Sequence, residues 1–206
     1  MTRSVSARTF PVVCVGGSAG GLDAYIRFLD HFPPDTGAAL VFVNHLRATT
    51  TLLHEILPAH TKMPVALIRN ELKLRVNHVY IIPPQRDLHV WKGDFRLEPI
   101  SKPRGWPDTI TVFLKSLAEN WDGRLFAVIV SGYDGDGADA LEAIHHAGGV
   151  IIAQQPDTAS QPDMPESAIA SGWVDFILPP EQIGVRISSL ISPRHARGWG
   201  AVKTHV

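Results

Sequence analysis

Gly16-Gly17-Ser18-Ala19-Gly20 is the first stretch whose residue types could do chemistry, because it matches Gly-x-Ser-x-Gly. Small neighbours let a sharp turn expose the serine hydroxyl. A helix starting just after it would offer free N–H groups and a positive dipole end to a developing oxyanion. Two other readings compete. A dinucleotide fingerprint starting at Gly16 wants a glycine where Ser18 stands, and no Gly-Lys-Ser/Thr follows, so a nucleotide-binding α/β domain has only part of its signature here. A plain glycine-rich connection is the other.

A serine hydroxyl needs a base, and a base needs an acid to orient it. His45, in Val43-Asn44-His45-Leu46, stands just past an apolar run; its bland alternative is a loop or capping histidine. Asp136 lies in Ser131-Gly132-Tyr133-Asp134-Gly135-Asp136-Gly137, after the run LFAVIV. An acidic turn that merely caps the next helix is the alternative there. A calcium loop fails the spacing test, since counting from Asp134 puts Ala138 at the fifth position and Asp139 where glycine belongs. Other candidates read as structural. Cys14 sits mid-strand, His145 and His146 fall near a helix C-terminus, and His54 and His60 lack partners at metal-ligand spacing. No metal or organic cofactor is called for.

The elements that would position these groups follow from periodicity. Strands are expected at Pro11–Val15, Ala38–Val43, Pro64–Ile68, Leu125–Val130, Gly149–Ala153 and Trp173–Leu178. Helices are expected at Leu22–Phe32, Thr50–Leu57 (stopped by Pro58), Asp108–Trp121, Gly137–Ala147, Met164–Ala170 and Glu181–Ile191. Continuous apolar strands alternating with helices predict a doubly wound α/β fold, a mostly parallel sheet with helices on both faces. From His78 to Glu98 short alternating strands around a Gly93 turn predict an antiparallel hairpin attached at one side of that sheet. Ser18, His45 and Asp136 each follow a strand, so all fall at carboxyl ends, where such sheets gather their chemistry.

Length and composition bound the rest. The chain has 206 residues, 45% hydrophobic and 19% charged, with a formal net charge of −1. That suits one globular domain and gives no electrostatic reason to expect nucleic acid or an anionic membrane. A single cysteine rules out an internal disulfide, and no apolar run approaches the ~20 residues of a membrane span, so a cytoplasmic protein is expected. The expected organisation is a flexible N-terminus over 1–10, one domain over 11–191 and a flexible tail over 192–206.

From about Val12 to Ile187 the chain resembles the catalytic domain of the chemotaxis protein-glutamate methylesterases (CheB-type). The likeness rests on the Gly16–Gly21 turn, His45 after the second strand, and Ser131 to Gly137 against the family's Thr-Gly-Met-Gly-x-Asp-Gly. Ala147-Gly148-Gly149, Ala153-Gln154 and Met164-Pro165 through Ala168 extend it. The order Ser, His, Asp also differs from the Ser, Asp, His order of α/β-hydrolases. The resemblance implies a serine esterase acting on glutamate methyl esters of a methylated chemoreceptor, with glutamine deamidation as a side activity. It implies Ser18 as nucleophile, His45 as base and Asp136 as acid. Backbone N–H groups of Ala19 and Tyr133 would form the oxyanion hole, and Gly17, Tyr133 and Met164 would touch substrate.

The chain departs from the family at Tyr133, where a methionine is usual, and at Asp134, where a glycine is usual; Asp134 adds a carboxylate that would compete for His45. Trp106 to Thr111 replaces the usual Pro-Ser-x-Asp segment. Family members usually carry an N-terminal receiver domain, so regulation is expected from a separate receiver or methyltransferase partner. A silent methylesterase-like module that binds a partner through the same cleft is the alternative reading.

Overall fold

A computed structural model describes residues 9–45, 51–102 and 105–192. The flexible N-terminus expected over 1–10 falls largely outside the described residues, as do Thr50 and nearly all of the expected tail.

Seven strands form one sheet: β1 (Val12–Gly17), β2 (Ala39–Asn44), β3 (Val65–Leu67), β4 (His78–Ile81), β7 (Leu125–Ile129), β8 (Val150–Gln154) and β9 (Phe176–Leu178). Their order is β3-β4-β2-β1-β7-β8-β9, and every pairing is parallel. The remaining strands, β5 (Arg86–Trp91) and β6 (Asp94–Pro99), pair with each other in a separate two-stranded sheet, and Asp94 of β6 also forms an antiparallel bridge with Lys73. The helices are α1 (Gly21–Asp30), α2 (Leu53–Ile56), α3 (Thr109–Asn120), α4 (Leu141–His146), α5 (Asp163–Ala170) and α6 (Pro180–Ile191).

Alternation along the strands divides the core between the two faces. Val13 and Val15 of β1 pack with Tyr25 and Phe28 of α1 and with Ile183 and Ile187 of α6. Val12 and Cys14 face the other way, toward Ile110, Phe113 and Leu117 of α3. Both faces are covered, which explains why β1, β7 and β8 are apolar at nearly every position rather than at every second one.

The chain leaves β1 toward β2 on one side and returns to β7 on the other. The point where the winding reverses therefore lies between β1 and β7, and a crevice opens above their carboxyl ends.

Three expectations need correction. His78–Ile81 is a parallel strand inside the main sheet, partnered by β2 and β3, and not part of the hairpin. Four residues show too little alternation to fix a pairing partner, and here the partners come from distant segments. The hairpin forms its own sheet, held to α3 where Val90 N–H donates to the buried Ser116 Oγ (2.9 Å). Its turn residues Lys92 and Gly93 both have positive φ (53° and 86°), as a tight two-residue turn requires. The second helix is shorter than expected: α2 ends at Ile56, before Pro58, and the chain tightens into a 3₁₀ turn over Leu57–His60, with Pro58 in its first turn, where no N–H is needed.

Candidate active site

Ser18 follows the last residue of β1. Its N–H donates to Ser131 O (2.9 Å), and Gly21 N–H donates back to Ser18 O (3.0 Å), closing a turn whose Gly20 has φ 75°. Ser131, just beyond β7, ties the two strand ends together. Its Oγ donates to Ala19 O (2.7 Å) and accepts from Gln161 N–H (3.0 Å), while its own N–H donates to the buried Gln154 Oε1 (2.9 Å). Gly132 comes so close to Ser18 that an added Cβ would lie 2.9 Å from the serine Cβ. Only glycine fits there.

His45 follows β2, one residue past its end. Its Nε2–H donates to Asp136 Oδ2 at 2.5 Å, and the two side chains are only 4% and 1% exposed. Asp136 is fixed from a third direction. Its Oδ2 also accepts Ile110 N–H (2.8 Å) and its Oδ1 accepts Thr111 N–H (2.9 Å), so the carboxylate caps the N-terminus of α3. Burial alone would push this carboxyl up. The His45 bond and charge, with the Thr111 hydroxyl and amide, outweigh it and hold Asp136 below the ordinary carboxylate range. An ionised Asp136 only accepts, so Nε2 carries the proton and Nδ1 is left as the basic nitrogen of a neutral ring.

Ser18, Ala19, Asn44, His45, Trp106, Pro107 and Tyr133 line one cleft of about 530 Å³. Among the described residues no hydrogen bond joins Ser18 to His45, although both open onto this cleft. The Ala19 and Tyr133 amides find no acceptor among the described residues, so they remain free to bind an oxyanion. Tyr133 is 42% exposed, and its ring stands 6.5 Å from that of Trp106 at the cleft mouth.

Gly17 and Met164 belong elsewhere. Gly17 is buried, with Tyr25 Oη and Val130 filling the place a Cβ would take. Met164 is fully buried behind Gly132, in the core shared by α3 and α5. Neither lines the cleft.

Sequence reasoning missed Asn44, Pro107, Ser131 and the start of α3. Asn44 Oδ1 is buried without a partner at the cleft wall. The Ile110 and Thr111 amides could have been suspected only from the expected helix start at Asp108, a signal that names no distant acceptor.

A parallel α/β sheet with a hydroxyl, an imidazole and an acid gathered at its carboxyl edge defines the protein as one with a hydrolase-like crevice. The model of the family described as CheB methylesterase matches residues 13–187, and the chain belongs to that family.

The catalytic domain of the Thermotoga maritima CheB methylesterase has the same fold, with a TM-score of 0.77 and 25% identity over 87% of this chain and 97% of that one. A Mesorhizobium japonicum protein named protein-glutamate methylesterase/protein-glutamine glutaminase is 32% identical over 190 residues, covering 91% of this chain and 56% of the relative. An uncharacterized 104.1 kDa protein of Rhodobacter capsulatus is 38% identical over 143 residues, 69% of this chain and 15% of its own length. The chain thus spans about half the length of the named methylesterase.

Proposed function

We propose that this domain is a serine esterase that hydrolyses glutamate methyl esters on a chemoreceptor-like protein. The observation that carries the reading is the 2.5 Å His45–Asp136 pair, buried at the wall of a cleft that Ser18 shares. Family membership adds the substrate class, since relatives bear the methylesterase name.

In the proposed mechanism Ser18 Oγ attacks the ester carbonyl while His45 Nδ1 accepts its proton. Asp136 fixes the ring through Nε2 and balances the imidazolium. The tetrahedral oxyanion sits against the Ala19 and Tyr133 amides, each such donor worth about 3 kcal/mol. His45 then protonates the departing methanol, leaving a glutamyl ester on Ser18. Water attacks the acyl carbonyl as it gives a proton to Nδ1, and His45 returns that proton to Ser18 Oγ as the free glutamate leaves.

The absence of a Ser18–His45 bond does not count against this route, because catalytic hydrogen bonds often tighten only once substrate excludes water. Trp106 and Tyr133 would form the aromatic walls of the mouth, on either side of the esterified side chain. Glutamine deamidation follows the same steps with ammonia as the leaving group, in keeping with the glutaminase half of the relatives' name. The proposed partner is a methylated receptor met in the cytoplasm. Among the described residues no helix is long and apolar enough to cross a membrane.

The test is methanol release from a methylated receptor fragment. Ser18→Ala should abolish it while leaving the thermal melt unchanged; turnover that survives the substitution would refute the mechanism.

A further inference from the structure

Asp134 stands beside the proposed base, and the mechanism above gives it no task. It holds φ 71°, a left-handed conformation that glycine adopts freely and aspartate tolerates. Its Oδ1 accepts Asp136 N–H (2.7 Å), which pins the side chain over the loop. Its Oδ2 lies 3.7 Å from His45 Nδ1. Both atoms are shut off from solvent, and neither has a hydrogen-bond partner. Two buried acceptors aimed at each other, a carboxylate oxygen and an imidazole lone pair, repel unless a proton lies between them.

The surroundings favour keeping that proton. The other imidazole nitrogen already serves Asp136. Asp108, just before α3 and itself bonded to the exposed Lys102, adds negative charge beside Asp134. From β1 the thiol of Cys14 lies within electrostatic reach of Asp136, and Tyr133 lines the cleft with His45; neither is a cation. Burial and these neighbouring carboxylates push the Asp134 carboxyl up. Apart from His45 itself, no cation touches Asp134 among the described residues.

We infer that Asp134 caps the base: its carboxyl, protonated on Oδ2, faces His45 Nδ1 and keeps Ser18 from using that nitrogen until the proton leaves. This rests on the Ser18–His45–Asp136 reading. Deprotonation releases the proton to solvent and leaves a neutral imidazole with Nδ1 open, between two carboxylates. The same two carboxylates then steady the imidazolium formed during attack. Asp134 is thus a positioning residue that switches the site off in acid and favours it in base.

The experiment is the pH dependence of kcat/KM for methanol release from a methylated receptor fragment, with Ser18→Ala run alongside. Asp134→Gly suits the left-handed position and removes the cap, so its ascending limb should lie about 1–3 pH units below that of the wild type. Asp134→Asn keeps the turn to Asp136 and can donate a non-titrating N–H to Nδ1, so it should stay slow on both sides of the wild-type limb. An Asp134→Gly limb that coincides with wild type, or a folded Asp134→Gly that is slow at every pH, overturns the cap.

Carbon-13 NMR of the Asp134 side-chain carboxyl reads the same proton without turnover. A carboxyl that keeps its proton above the ordinary carboxylate range supports the cap; one that loses it within that range overturns it. Equal turnover by Ser18→Ala and wild type would instead sink the triad, with the NMR result still deciding where the proton sits.

Discussion

Replacing Asp136 by asparagine tests the site where geometry and charge are most tightly joined. The carboxylate takes N–H bonds from His45 (2.5 Å), Ile110 (2.8 Å) and Thr111 (2.9 Å), and asparagine offers only one acceptor oxygen. With that oxygen at the Oδ2 position, His45 and Ile110 keep their acceptor, but the new NH₂ points at the Thr111 N–H. One buried amide is then orphaned and charge-assisted bonds become neutral ones, a combined loss of about 2–4 kcal/mol. In a domain of this size that lowers Tm by roughly 5–15 °C.

The catalytic effect is larger. A carboxylate about 3 Å from the imidazolium is worth about 5 kcal/mol at an effective dielectric of ~20, so kcat should fall roughly 10³–10⁴-fold. The opposite amide orientation is worse, because it forces the proton onto Nδ1 and removes the base altogether. The assay pairs methanol release with a thermal melt. A folded Asp136→Asn protein retaining kcat within about tenfold of wild type would refute the claim that this acid orients and balances His45.

Gly132→Ala pushes a methyl group against the Ser18 Cβ and Met164, and should cut kcat about 100-fold while costing about 1–3 kcal/mol; unchanged kcat would show that the turn yields. Ser131→Ala breaks the Ala19 and Gln161 bonds, so a denaturant melt should show a loss of about 1–3 kcal/mol together with lower kcat. Met164→Ala should cost about 2–5 kcal/mol and leave KM for a methylated receptor fragment near wild type, as expected for a core residue and not for a substrate contact.

The chemistry was more legible in the sequence than the supports that hold it. Gly16 to Gly20 announced a tight serine turn because each small residue there is a local requirement, and the run LFAVIV announced a buried strand by hydrophobicity alone. His45 and Asp136 could be named from order and strand ends. Their distance could not, because it depends on β1, β2 and β7 lying side by side. Gly17 and Met164 stand outside the cleft lining, since closeness to a motif in sequence says nothing about which face a residue takes. Gly17 is the last buried residue of β1, and Met164 points into the core beneath the loop. The capping of α3 by Asp136 joins residues about 25 positions apart, and no periodicity records such a contact.

Asp134 and Asp136 should shift acid stability in opposite directions, and that difference can be measured without substrate. Asp136 is held low despite its burial, because its bonds to His45 and Thr111 outweigh desolvation. An acid held low when folded binds its proton more tightly when unfolded. Its stabilising contribution is therefore complete above about pH 4, the ordinary range of an unfolded Asp, and fades as pH falls through the folded value.

For Asp134 desolvation prevails over the Asp136 amide and the His45 charge, with Asp136 and Asp108 adding to it, and the folded carboxyl sits high. The folded state then holds the proton more tightly, so stability is lost as pH rises from about 4 toward that raised value. Across this window Asp136→Asn should be most destabilising at neutral pH and least in acid. Asp134→Gly should run the other way, with its Tm rising relative to wild type as pH increases. Two carboxylates beside one imidazole would then hold different protonation states through their surroundings alone, the condition under which one can orient a base while the other blocks it. Difference curves sloping in the same direction would mean a shared environment, and the separate roles given to the two residues would fail.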